Sequence, residues 1–139
     1  MSEQETIDND ALAAQFQGLL MHELQARGVH FTKATAVNMG DVNIDVHIYI
    51  EDYWGLYLFK YIGIYWLKER KLAEMTLAQY VKGYVGRELA ELKSSVEWEI
   101  KHDPEMIARD NLTQSYRDSI ARRLDAARKI AIWLIKDAS

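Results

Sequence analysis

The sequence predicts an α+β domain: an N-terminal helix, a three-stranded antiparallel meander and a long C-terminal antiparallel helical hairpin. Two observations predict the meander. Aliphatic residues occupy most even-numbered positions from Val42 to Ile64, and eight of the chain's 15 aromatic residues lie between Tyr49 and Trp66. Alternation with a period of two, rich in aromatic and β-branched residues, is typical of strands. Two long apolar stripes with helical spacing after Thr76 predict the hairpin.

Length and composition predict one domain. A chain of 139 residues with 49% hydrophobic content can bury a core without covalent cross-links. We expect residues 1–9 to be a flexible acidic N-terminus and residues 10–139 to fold as a single unit. Because there is no cysteine, disulfides and thiolate metal sites are excluded, and a cytoplasmic location is expected.

Neither a secretory signal nor a membrane span is expected. The first ten residues are acidic and polar instead of basic and then apolar. The most apolar run, 53–67, is about 15 residues long and contains Lys60, whereas a spanning helix needs roughly 20 apolar residues. A membrane is therefore not among the expected partners.

The first predicted helix covers residues 10–27. Asp8, Asn9 or Asp10 can cap its free backbone N–H groups, and Gly28 provides a left-handed stop. Its apolar stripe comprises Leu12, Phe16, Leu19 or Leu20, and Leu24.

Three strands are predicted to follow. The first, from Val29 to Val37, leads into Asn38-Met39-Gly40, which suits a three-residue hairpin loop with Gly40 in the left-handed position. The second covers about 41–50. The third run, 53–67, fits helix or strand because nearly all of it is apolar, but its alternation favours a strand.

Alternation also predicts the strand register. The aliphatic positions share one face only if the loop between the second and third strands has an odd number of residues, which 51–55 satisfies. The predicted inner pairs are Ile48 with Leu58, Ile44 with Ile62 and Val42 with Ile64, and the outer pairs are Tyr49 with Tyr57, His47 with Phe59 and Asp45 with Tyr61. In the first strand, Lys33 is predicted opposite Asp45 and Phe31 opposite His47, with Ala34 and Ala36 on the inner side.

Two long helices are predicted to complete the domain. The spacing of Thr76 and Gln79 is that of a capping box, and the stripe that follows reaches about Lys101. The segment 103–105, Asp-Pro-Glu, resembles a cap followed by a first-turn proline and acid, which predicts a new helix there. Each helix is roughly 40 to 50 Å long at 1.5 Å per residue. The hairpin is therefore expected to extend beyond the sheet.

The outer sheet face is the predicted partner-binding surface, because exposed aromatic area of this size is typical of interaction sites. Its predicted members are Phe31, His47, Tyr49, Tyr57, Phe59, Tyr61 and Tyr65. The alternative is that the first helix packs on this face as a second core layer. With no catalytic motif, the sequence favours a non-enzymatic interaction or assembly module: an adaptor, inhibitor or structural component, virus-encoded proteins included. It is expected to self-associate, to bind another protein and to need no cofactor.

Asp45 and His47 share one strand face, with Asp41 and Glu51 in line, and oxygen and imidazole groups can bind a divalent metal. Alternating polar residues are nevertheless the ordinary pattern of an outward strand face, and no HxxxH or HExxH spacing is present. No metal site and no catalytic residue are predicted.

The order helix, three antiparallel strands, helix resembles the core of the PD-(D/E)xK nucleases over about residues 10–90. The resemblance implies Asp45 as the first metal-binding acid and Lys60 as the lysine. Leu58 stands where that family has its second acid. The implied function is that of a degenerate metal-dependent, nuclease-like domain.

A further alternative is nucleic-acid binding. Gly83-Tyr84-Val85-Gly86 resembles the GXXG loop of KH domains, which contacts the nucleic-acid backbone. The flanking Lys82 and Arg87, together with Arg122 and Arg123 of the basic last helix, are the other residues of this alternative. Against it, the two glycines could instead allow a neighbouring element to approach closely.

Overall fold

The computed structural model describes residues 8–51, 57–109 and 111–138. Its elements confirm the predicted α+β architecture. In chain order they are α1 (Asn9–Ala26), β1 (Phe31–Met39), β2 (Asn43–Ile50), β3 (Tyr57–Gly63), α2 (Ile64–Trp66) with a π-helical turn (Leu67–Lys71), α3 (Leu77–Ile107) and α4 (Gln114–Ala138). Among the helices of these residues, none has the length and apolarity needed to cross a membrane.

Helix α1 begins and ends within one residue of its predicted bounds. The Asp8 carboxylate accepts a hydrogen bond from the backbone N–H of Asp10 at the start. At the end Gly28 has φ +71°, and the N–H groups of Gly28 and Val29 bond back to the carbonyls of Gln25 and Leu24. This pair of bonds is the Schellman arrangement, which satisfies the last helical carbonyls.

The three strands form an antiparallel sheet in the order β1-β2-β3. The predicted register between β2 and β3 is confirmed from Asp45 opposite Tyr61 to Tyr49 opposite Tyr57. The predicted pair of Val42 with Ile64 is wrong, because β3 ends at Gly63. Ile64 still donates its N–H to the Val42 carbonyl at 2.9 Å, but it begins α2.

The predicted register of β1 is wrong. The loop consists of residues 40–42, so Lys33 lies opposite Tyr49 and not opposite Asp45. The Asn38 side chain holds this turn by hydrogen bonds of 2.9 Å to both the backbone N–H and the carboxylate of Asp41. Gly40 and Asp41 both adopt positive φ there. From Lys33 onward, the β2 partner of each β1 residue lies four positions after the predicted one. Because four is an even number, the side chains keep their predicted faces.

Phe31 does not lie on the outer face. The ladder is irregular between Phe31 and Lys33, and Phe31 pairs with Ile50 and packs against the core. One extra residue in a strand reverses the alternation beyond it. The prediction that Phe31 stands opposite His47 is therefore wrong.

The core lies between the inner sheet face and the helices. The small side chains of Ala34 and Ala36 are buried together with Phe16 and Leu20 of α1. Gln17 of α1 also accepts a hydrogen bond from the backbone N–H of Ala36 at 3.1 Å, which occupies part of the β1 edge. Because α1 packs on the inner face, the alternative in which it covers the outer face is wrong.

Helix α3 begins with the predicted capping box between Thr76 and Gln79. The helix was predicted to end before Pro104. It instead continues through Pro104 to Ile107. Asp103 is not a helix cap. Its side chain is completely buried and accepts hydrogen bonds of 2.7 and 3.1 Å from Arg123 of α4. The sequence pattern assigns the Asp103 carboxylate to a helix cap, but in the structure it binds Arg123 instead.

The helical hairpin contributes buried residues both to the main core and outside it. Residues of α3 from Tyr80 to Val96 and of α4 from Ala127 to Leu134 belong to the main core. Farther along, Ile120 and Leu124 are buried outside that core. In this distal part α3 and α4 pack against each other, and the Asp103–Arg123 pair joins them.

Candidate functional site

Next to the β1–β2 turn, the outer side of the sheet has a row made of Met39, Asn43 and Gly63. The nine positions beyond it form three further rows. The middle row contains Thr35, His47 and Phe59. The end rows are Lys33, Tyr49 and Tyr57 on one side and Val37, Asp45 and Tyr61 on the other. We call this set the outer face.

Aromatic side chains of the outer face contact one another. The ring of His47 lies 4.6 Å from that of Phe59 and is stacked on that of Tyr49 at 6.4 Å. Phe59 in turn contacts Tyr61 at 6.1 Å. The aromatic rings of the outer face therefore pack against one another while part of their surface faces the solvent.

The outer face is accessible to solvent. Phe59 is 41% exposed, Tyr61 67% and Val37 47%, and Tyr49 is also exposed. By contrast, the inner positions Ile44, Val46 and Ile48 are fully buried. One face of the same sheet therefore holds the core and the other presents a contiguous apolar surface to the solvent.

Two opposite charges lie at opposite ends of the outer face. Lys33 is in one end row and Asp45 is in the other. Two rows along a strand correspond to four residues, or about 13 Å at 3.3 Å per residue. The surface is thus positive at one end, negative at the other and aromatic between them.

Like Phe31, Tyr65 was predicted to bind a partner but does not lie on the outer face. It lies in α2 and is 77% exposed. The strand predicted for 53–67 ends at Gly63, so Tyr65 does not follow the alternation. Of the predicted partner-binding residues, those at outer-face positions are His47, Tyr49, Tyr57, Phe59 and Tyr61.

The residues implied by the nuclease resemblance do not converge. Lys60 is paired with Val46, and its ammonium group lies 4.0 Å from Glu88 and 3.7 Å from Glu91 of α3. Burial raises the pKa of the Glu88 carboxyl, and Lys60 partly opposes this effect. Asp45 is on the opposite face of the sheet. Lys60 and Asp45 therefore cannot act on one bound water.

The carboxylates near the β1–β2 turn do not form a metal site. Asp41 lies in the turn itself, where hydrogen bonds from Asn38 and Asn9 lower its pKa. Over the described ranges, no group of three or more His, Asp or Glu residues is arranged to hold a metal ion. Asp45 and His47 thus take part in the outer face as side chains of a strand.

The glycine pair of the nucleic-acid alternative lies inside α3, so the predicted loop at Gly83–Gly86 is wrong. A Cβ at Gly86 would lie 3.5 Å from the Arg27 guanidinium, which also donates to the Lys82 carbonyl at 3.3 Å. The other reading, close approach of a neighbouring element, stays a prediction, because a Cβ at Gly86 would make only an ordinary van der Waals contact with the flexible Arg27 side chain. Of the predicted basic residues, Arg123 is bound to Asp103, while Lys82 and Arg122 are exposed.

A surface cavity between the π-helical turn and α3 was not predicted. It has a volume of about 440 Å³. Its lining residues are Trp66, Lys71, Met75, Gln79, Tyr80, Gly83 and Arg87. The sequence predicts a strand over residues 53–67, but Trp66 lies in α2, so this cavity was not expected. No local sequence pattern predicts this cavity, because its walls come from two segments that meet only in the folded chain.

Comparison of the chain with protein-family models, with curated proteins and with solved structures found no match.

Proposed function

We propose that this protein is a non-enzymatic assembly module that self-associates through the outer face. The observation that supports the proposal is the exposed, mutually packed aromatic surface on one side of a sheet whose other side is already filled. Tyrosine and phenylalanine bury large apolar areas at little entropy cost, and they are enriched at interfaces. Burial of this surface against a partner would remove it from water.

A second copy of the chain fits the charges of the outer face. Sheets that pack face to face are about 10 Å apart. A two-fold axis crossing the strands at the middle row exchanges the two end rows. Lys33 of one copy then lies over the partner's row that contains Asp45, and the reverse contact forms by symmetry. The aromatic middle row packs on its own counterpart.

The same surface is proposed to bind another protein where the module acts as an adaptor, inhibitor or structural component. An exposed aromatic sheet face is suited to either occupant. The absence of cysteine fits a reducing compartment, and a cytoplasmic location is part of the proposal.

Replacing Phe59 and Tyr61 together with serine is expected to weaken self-association while the domain remains folded. Loss of two central aromatic contacts should raise the dissociation constant at least about 30-fold. Light scattering and sedimentation over a micromolar concentration range would measure it. Tyr116→Ser is the matched control, because Tyr116 is also half-exposed but lies on α4. A monomeric mass for the unaltered protein at every concentration would contradict the proposal.

Charge reversal tests the two-fold arrangement. Lys33→Glu and Asp45→Lys should each weaken the dimer about tenfold, because each places like charges together at two symmetric contacts. The double variant exchanges the charges and should dimerise within about twofold of the original. A double variant weaker than both single variants would show that Lys33 and Asp45 do not meet across the interface.

A further inference from the structure

The cavity between the π-helical turn and α3 has both apolar and cationic walls. Trp66 and Tyr80 meet edge to face at 6.0 Å, and Met75 adds a third apolar side chain. Trp66 is 43% exposed, so part of its ring remains available to a ligand. The volume of about 440 Å³ lies within the range of small-molecule sites.

Two cations line this cavity. The Lys71 ammonium lies 5.2 Å from the Trp66 ring centroid, and the Arg87 guanidinium lies 6.0 Å from that of Tyr80. Neither cation forms an ion pair with any residue in the described parts of the chain, and no lining residue is acidic. The positive charge of the cavity is therefore available to an anion.

Two acids, Glu88 and Glu74, lie close to the cavity without lining it. Glu88 follows Arg87 in α3, but its carboxylate is buried and lies 4.0 Å from Lys60 of β3. Glu74 lines an adjoining cavity together with Tyr65 and Arg70, and Trp66 and Lys71 line both cavities. Glu74 therefore lies on the side of Lys71 that faces away from Arg87, and it is not a lining residue of the proposed site.

Gln79 and Gly83 complete the site. The side-chain oxygen of Gln79 accepts the Thr76 backbone N–H at 2.9 Å in the capping box, which leaves the amide NH₂ as a donor. Gly83 has no side chain, so the space beside the Arg87 guanidinium stays open. A tyrosine hydroxyl is protonated at physiological pH, and burial raises the pKa of Tyr80 further, so this hydroxyl can donate a hydrogen bond. The donors and the aromatic wall thus share one small volume.

We propose that this cavity binds a phosphate group attached to a planar ring, the chemistry of a nucleotide. The phosphate would be held by Lys71, Arg87 and the Gln79 amide, because charge-assisted hydrogen bonds to phosphate are the strong ones. The ring would pack on Trp66, Met75 and Tyr80. This site is independent of the outer face, so either proposal can fail without the other.

The test is calorimetric titration of the full chain with AMP, adenosine and inorganic phosphate. AMP is expected to bind saturably, and the two fragments at least about tenfold more weakly, because each lacks half of the contacts. Arg87→Gln should weaken AMP binding about tenfold through loss of a charge-assisted contact. Lys82→Gln is the matched control, because it removes the same charge from α3 outside the cavity. Trp66→Leu should weaken AMP binding without changing phosphate binding.

A phosphate attached to a planar ring occurs both in free nucleotides and in nucleic acid. Titration with an eight-nucleotide thymidine strand that lacks a terminal phosphate distinguishes these two ligands. AMP binding alone identifies a free nucleotide, whereas a strand that binds and competes with AMP identifies nucleic acid, and both results support the site. Absence of saturable AMP binding at millimolar concentration, or equal effects of Arg87→Gln and Lys82→Gln, would overturn it. Thermal melting of each variant verifies that it is folded.

Discussion

Replacing Phe16 with alanine is expected to lower the free energy of unfolding by about 3–5 kcal/mol, the range for deletion of a buried aromatic ring. Phe16 is completely buried in α1. Its ring contacts those of Tyr80 and Tyr84 in α3 at 6.2 and 5.8 Å. Both the lost transfer energy and the cavity left between the two helices contribute. Chemical denaturation monitored by circular dichroism would measure the change.

Phe59→Ala is the matched control for this prediction. It removes the same side chain from the exposed outer face, so the domain should lose less than about 1 kcal/mol when measured as a monomer. Equal losses for Phe16→Ala and Phe59→Ala would contradict the assignment of inner and outer faces. In that case the aromatic surface would be core, and the proposed assembly role would lose its support.

Arg123→Ala is expected to cost about 3–5 kcal/mol, because it leaves the Asp103 carboxylate buried without its cationic partner. Asp103 is completely buried, whereas the Arg123 side chain is 39% exposed. Asp103→Ala should therefore cost less, about 1–3 kcal/mol, since the remaining guanidinium can reach water. Thermal and chemical unfolding of the two variants would show which substitution lowers the free energy of unfolding more.

The exposed pair of Asp125 and Lys129 is the control for the buried one. These groups are 3.5 Å apart on α4 and mostly solvated, so Asp125→Ala should change stability by less than about 0.5 kcal/mol. Replacing Asp103 with leucine and Arg123 with methionine together should recover most of the loss. A loss in Asp103→Ala that exceeds the loss in Arg123→Ala would contradict the proposed asymmetry.

The failures of sequence-based prediction have specific physical causes. The β1–β2 turn lies two residues later than predicted because the Asn38 side chain bonds to Asp41 and two consecutive residues adopt positive φ. The segment 103–105 has the local pattern of a helix start, yet the Asp103–Arg123 pair outweighs it. Both outcomes depend on side-chain bonds that alternation and spacing do not report.

Local periodicity by itself determined the order of the first helix, the three strands and the helical hairpin, both ends of α1, the start of α3 and the division of the sheet into two faces. These features depend on interactions within a few residues, and an error of an even number of positions in register leaves the faces unchanged. The tertiary structure alone decided that α1 packs on the inner face, which leaves the outer aromatic face exposed. It also decided that β3 gives way to helix at Ile64, which brings Trp66 and Lys71 to Arg87. These arrangements join residues distant in the sequence, and their free energy comes from packing that no local pattern encodes.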